Sequence, residues 1–116
     1  MKPLETFKLK CAEVKYIVDK ERECVIAIAS FIAVTPLVTH YIDTKGIAKV
    51  HNDDSFDIVI GKKVARAKAE KEAFSIYKGI IKQDIKEYEI YINKFINTID
   101  KMENLIEHQK KYLKSF

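Results

Sequence analysis

The sequence has little cysteine, proline or glycine and no tryptophan. Two cysteines in 116 residues are too few for the disulfide framework of a small secreted domain. The longest apolar run, from Val25 to Pro36, is interrupted by Ser30 and Thr35 and is too short to span a bilayer. No cationic leader with an apolar segment opens the chain. We therefore expect one soluble, intracellular domain over residues 1–116.

A strong excess of one charge is also missing. The chain has 21 Lys and Arg against 17 Asp and Glu, a net charge of +4. Residues 1–50 hold 8 positive and 6 negative side chains, and residues 51–116 hold 13 and 11. Nucleic-acid binders usually concentrate positive charge on one face or tail. The interleaved acids do not favour nucleic-acid binding, and they leave it open.

Signatures of enzymes are absent as well. The chain has no His-Glu-x-x-His, no Cys-x-x-Cys and no glycine-rich phosphate loop. Its three histidines, His40, His51 and His108, have no second ligand at metal-site spacing. The segment His51-Asn52-Asp53-Asp54 could hold a metal, but such residues before a helix are more often caps. We predict no catalytic residue, no metal and no cofactor.

The first third of the sequence alternates like β-strand. Apolar residues lie on odd positions from Phe7 to Cys11 and on even positions from Ala12 to Val18, and this change of phase predicts a bulge. In the predicted hairpin, Cys11 faces a residue near position 30 and Cys24 faces one near 17. The two sulfurs are then too far apart for a disulfide.

The next segments complete a predicted four-strand antiparallel meander over residues 1–51. Residues 24–34 are apolar on both faces, which predicts a central strand whose small side chains line a closely packed side. Those small side chains are Ala27, Ala29 and Ala33. Strands over 37–42 and 47–50 flank a predicted turn at Asp43-Thr44-Lys45-Gly46, where glycine would supply positive φ.

Helical periodicity begins after residue 53. We predict a first helix over 53–78 and a long helix over 80–115, and the segment Asp54-Ser55-Phe56-Asp57 offers several N-cap candidates for the first. Gly79 is the expected bend or break between them, so a single bent helix is the alternative. The predicted fold class is α+β, with the sheet first and two long helices after it.

The second helix carries a heptad-like apolar stripe. At roughly 50 Å it is longer than four adjacent short strands can cover, since these span about 20 Å. The alternative is that the stripe only covers the sheet of its own subunit. We expect a homo-oligomer whose interface contains Ile85, Tyr88, Ile92, Phe95, Ile99, Met102 and Ile106.

One helical segment concentrates positive charge. At 100° per residue Lys62, Lys63 and Arg66 share a third of the helix circumference, and Ala69 and Ala73 lie along that side. Cations beside small residues suit an anionic planar ligand such as a nucleotide. The same pattern is also typical of a solvated face of good helix formers.

Two sequence blocks carry a resemblance. Gly46-Ile-Ala-Lys-Val-His-Asn-Asp-Asp-Ser-Phe-Asp and the following Ile60-Gly-Lys-Lys-Val-Ala-Arg-Ala-Lys-Ala resemble a motif of small phage and prophage proteins from Gram-positive bacteria. A sheet followed by long C-terminal helices is similar to the Thoeris anti-defence sponge proteins. Those proteins bind cyclic ADP-ribose isomers between protomers and do not cleave them. The resemblance implies a non-enzymatic nucleotide sponge in the cytoplasm of the infected bacterial host.

The resemblance also implies a ligand site. Cations would bind the diphosphate, an aromatic ring the adenine, and carboxylate or amide groups the ribose hydroxyls. The candidates are Lys62, Lys63, Arg66, Phe56, Phe74, Asn52, Asp54 and Asp57. For Phe56 the more common role is a core anchor under the sheet. With only Arg22 and Arg66 in the chain, a clamp of several arginines is missing. The alternative function is a phage regulator that binds nucleic acid or a host protein through Lys62, Lys63 and Arg66.

Overall fold

The computed structural model describes residues 7–49 and 57–116 and has an α+β fold. Its elements are strands β1 (Lys8–Asp19), β2 (Cys24–Val34) and β3 (Thr39–Lys49), followed by helix α1 (Ile58–Lys114). The strands form one antiparallel sheet in the order β1-β2-β3. The chain divides into two compact units, residues 1–81 and residues 82–116, which are described in turn.

The first hairpin follows the predicted strand pattern. The register of β1 on β2 shifts between Cys11 and Glu13, so the predicted bulge is confirmed. Cys11 faces Phe31, Cys24 faces Asp19, and both cysteines are free thiols. The turn is held by the Arg22 N–H, which donates to Asp19 Oδ1 over 3.1 Å.

The predicted turn at residues 43–46 is wrong, because β3 runs without interruption from Thr39 to Lys49. The described sheet therefore has three strands and not four. Gly46 is paired with Ala27 and does not have positive φ. A Cβ at Gly46 would lie 1.9 Å from the Ala65 carbonyl oxygen and 2.8 Å from the Ala69 amide nitrogen. Glycine is needed here because the helix backbone approaches the strand.

The core lies between the sheet and the first turns of α1. Ala27, Ala29 and Ala33 of β2 are fully buried, which confirms the prediction of a closely packed small-residue side. The face of α1 that packs against the sheet has buried small residues at every fourth position: Gly61, Ala65, Ala69 and Ala73. Because both surfaces consist of small side chains, the two backbones come close, which increases the van der Waals contact between them.

Two hydrogen bonds tie this part of α1 to the sheet. The buried Thr44 hydroxyl donates to the Ala69 carbonyl oxygen over 2.8 Å. The Tyr77 hydroxyl donates to the Val34 carbonyl oxygen over 2.7 Å. They lie two helical turns apart and bind β3 and β2 respectively, so they fix the position of the helix along the sheet.

Helix α1 begins at a capped end and passes through Gly79. Asp57 Oδ1 accepts from the amides of Val59 and Ile60 over 2.9 and 3.2 Å, so Asp57 is the N-cap. The other predicted candidates, Asp54 and Ser55, lie outside the described residues. The prediction of two helices is wrong, since residues 58–114 form one helix. Glycine costs a helix interior about 1 kcal/mol relative to alanine, which is too little to end a helix with good formers on both sides.

In the unit of residues 82–116, every side chain from Ile85 to the C-terminal Phe116 is exposed. The predicted apolar stripe is among them: Ile85, Tyr88, Ile92, Phe95, Ile99, Met102 and Ile106. Within the part of the chain described here, α1 is too polar along its length to form a membrane-spanning segment.

Candidate functional site

Lys62 and Arg66 lie one turn apart on α1, beside Tyr16 of β1. The Lys62 ammonium is 5.4 Å from the centroid of the Tyr16 ring, within the range of a cation–π interaction. Arg66 Nε donates to Glu70 Oε1 over 3.0 Å. Together Tyr16, Lys62, Arg66 and Glu70 form what we call the Tyr16 cluster, a group of two cations, one carboxylate and one aromatic ring at the surface.

The cluster favours the charged form of Arg66. The hydrogen bond that Arg66 donates to Glu70, and secondarily the Tyr16 hydroxyl, raise the pKa of Arg66 above its ordinary value. The Arg66 side chain is half exposed, so water screens the ion pair and its contribution to stability is small. Because Glu70 accepts its hydrogen bond from Nε, the two terminal nitrogens of the guanidinium are not bonded to that carboxylate and can donate to an anion.

The alanines beside these cations do not receive a ligand. Ala69 and Ala73 belong to the core cluster formed with β2 and β3, so the element that approaches them is the sheet of this same chain. The prediction that they open the helix to an outside molecule is therefore wrong. Lys68 is also engaged, since its ammonium donates to the Ile47 carbonyl oxygen of β3 over 2.8 Å.

The remaining predicted ligand residues are not all in one place. Lys63 is exposed one residue after Lys62. Phe74 is exposed and lies eight residues beyond Arg66, about 12 Å along the helix axis. Asp57 caps the helix through Oδ1. Asn52, Asp54 and Phe56 lie outside the described residues.

Sequence reasoning missed Tyr16 and Glu70. Glu70 follows Arg66 by four residues, the spacing at which a carboxylate meets a guanidinium on a helix. The ion pair with Glu70 could therefore have been predicted from the sequence. Tyr16 reaches Lys62 from a distant strand, and no local pattern marks that contact. In the residues that the structure describes, no three His, Cys, Asp or Glu side chains form a group that could hold a metal.

Comparison of the whole chain with protein-family models, curated proteins and solved structures finds no match.

Proposed function

We propose that the chain is a phage anti-defence protein that binds a cyclic ADP-ribose-type nucleotide and holds it without cleaving it. The observation that carries the proposal is the Tyr16 cluster, where an ammonium lies near an aromatic ring and a guanidinium one helical turn further on is held by a carboxylate. With Lys63, its side chains sum to a net charge of +2. The resemblance to sponge proteins supplies the class of ligand.

Each part of such a nucleotide has a counterpart in the cluster. The terminal nitrogens of Arg66 would form a two-pronged contact with one phosphate, while Glu70 keeps the guanidinium oriented. Lys62 would leave the face of Tyr16 and turn to the second phosphate, and the adenine would take its place over the ring. Holding the ligand by contacts alone requires no nucleophile and no metal.

We further propose that the protein works as a homo-oligomer. The uncovered stripe of residues 85–106 supports this, because a contiguous run of large apolar side chains in water is costly. A second copy of the same helix supplies an equal stripe with a matching heptad spacing. The interface would contain the seven stripe residues named above.

Calorimetry with cyclic ADP-ribose isomers tests the binding proposal. Arg66→Ala should weaken binding by roughly a hundredfold, because it removes a charge-assisted contact worth about 2–3 kcal/mol. Arg66→Lys should recover little, since an ammonium cannot reproduce the planar fork. The matched control is Arg22→Ala, in the first hairpin turn, which should bind like the wild type.

The outcomes separate the alternatives. Equal affinity of all four proteins would remove Arg66 from the site. No binding of any isomer by the wild type would reject the sponge, and duplex binding that falls steeply with salt would then favour the regulator. Chromatography of nucleotide recovered after incubation should find it unchanged, and a converted product would make the protein an enzyme.

A further inference from the structure

The sheet has a second face, opposite α1, which we call the outer face. Alternation along each strand assigns its residues, because side chains at every second position point to the same side. In β2 the even-numbered residues lie there, and from Ile26 to Val34 each faces an exposed residue on both neighbouring strands. The outer face contains Lys8, Lys10, Glu13, Lys15, Ile17 and Asp19 of β1, Cys24, Ile26, Ile28, Ser30, Ile32 and Val34 of β2, and Thr39, Tyr41, Asp43, Lys45, Ile47 and Lys49 of β3.

An apolar column follows the central strand on this face. It contains Ile26, Ile28, Ile32 and Val34, with Ser30 as its one polar member. Ile28 is 40% exposed and is not covered by another element of the described chain. From residue 26 to residue 34 the column is about 27 Å long. This apolar strip is interrupted only at Ser30, in contrast to the isolated surface leucines and isoleucines that most proteins have.

Lysines border the column on both sides. Lys8, Lys10 and Lys15 lie along β1, and Lys45 and Lys49 lie along β3. The three acids of the face are already engaged. Glu13 is 3.7 Å from Lys15, Asp19 Oδ2 is 3.8 Å from Arg22 Nε, and Asp43 Oδ1 accepts from the Ser30 hydroxyl over 2.8 Å. The five lysines therefore leave the outer face an excess of two positive charges around an apolar centre.

We propose that the outer face binds an amphipathic helix of a partner protein, with an apolar stripe bordered by Asp and Glu on both sides. The three strands span about 10 Å from β1 to β3, which equals the diameter of one helix. The apolar column would receive the stripe over about five helical turns. The lysines of β1 and β3 would then stand opposite the acids on the two borders. Helix α1 already packs against the other face of the same sheet.

Two other occupants fit the face less well. In a second copy of this chain, the helix of residues 82–116 has seven lysines and six acids, so its borders do not complement a basic surface. A nucleic acid would meet a column of aliphatic side chains that neither donate nor accept hydrogen bonds, and Tyr41 is the one aromatic ring on the described face. Charge complementarity together with the apolar centre favours the acidic helix.

Synthetic peptides test the proposal with the intact protein. One labelled peptide of about 18 residues has leucines at helical i, i+3, i+4 and i+7 spacing and glutamates on both borders, and a matched peptide has lysines on the borders. Fluorescence anisotropy should give at least about tenfold tighter binding of the glutamate peptide, with an affinity that falls as salt rises. Equal affinity of the two peptides would overturn the proposal.

Variants of the protein then locate the binding surface. Reversing the flanking charges with Lys15→Glu and Lys45→Glu should weaken binding of the glutamate peptide by at least about tenfold and strengthen binding of the lysine peptide. The control, Lys71→Glu with Lys78→Glu on the exposed side of α1, keeps the same net charge change and should not change either affinity. If the outer-face variant binds like the wild type, the peptide occupies the stripe of residues 85–106 and the proposal is wrong. A single-stranded oligonucleotide that binds through Lys15 and Lys45, with no binding of the glutamate peptide, would equally overturn it.

Discussion

Replacing Gly46 with alanine should separate helix α1 from strand β3. The new Cβ would lie 1.9 Å from the Ala65 carbonyl oxygen, whereas carbon and oxygen ordinarily approach to about 3.3 Å. The helix would therefore have to retreat by more than about 1 Å. Neither neighbour can turn aside, because the nearest atoms belong to the helix backbone and not to the end of a flexible side chain.

The expected cost can be estimated from two contributions. Overpacking a tight site typically costs about 1–3 kcal/mol, and this site belongs at the upper end because backbone meets backbone. Retreat of the helix also stretches the hydrogen bond from Thr44 to the Ala69 carbonyl, which contributes about 1 kcal/mol. A loss of about 3–4 kcal/mol would be a large share of the stability of a domain of this size.

Gly79→Ala is the matched control, since it makes the same substitution where a Cβ meets nothing within 4 Å. In an open helical position alanine should stabilise the protein by about 1 kcal/mol. Urea unfolding at one protein concentration, followed by circular dichroism and tyrosine fluorescence, should move the two midpoints in opposite directions. If Gly46→Ala unfolds at the wild-type urea concentration, the close approach of α1 to β3 is wrong.

Two further predictions concern the stripe and the helix–sheet contact. Ile92→Asp with Ile99→Asp would bury unpaired charges in the proposed oligomer interface, so sedimentation should find monomer or aggregate, and an unchanged mass with unchanged melting would place the interface elsewhere. Tyr77→Phe removes the hydroxyl that donates to Val34 and should lower the free energy of unfolding by about 1 kcal/mol. An unchanged urea midpoint for Tyr77→Phe would mean that this hydrogen bond adds nothing to stability.

The local pattern of the sequence determined most of the secondary structure. Period-two alternation identified the strand residues on either side of the bulge, because one face of β1 is half-buried and the other is exposed. The apolar and small composition of residues 24–34 identified the central strand and its tightly packed side. In the candidate site, helical spacing placed Lys62 and Arg66 on one face, and the same spacing could have added Glu70.

Tertiary structure decided what the local pattern left ambiguous. Glycine is used both where φ is positive and where a Cβ has no room. Gly46 was predicted in a turn and instead lies inside strand β3, against the helix backbone. Gly79 was predicted to break the helix and instead lies inside α1. Alanines at every fourth position are expected both on an exposed face of good helix formers and on a closely packed face. Only the sheet that packs against Ala69 shows that this stripe is a packed face. Tyr16 joins Lys62 through a contact between residues 46 positions apart. Such pairs depend on how the chain folds back on itself, which neighbouring residues do not encode.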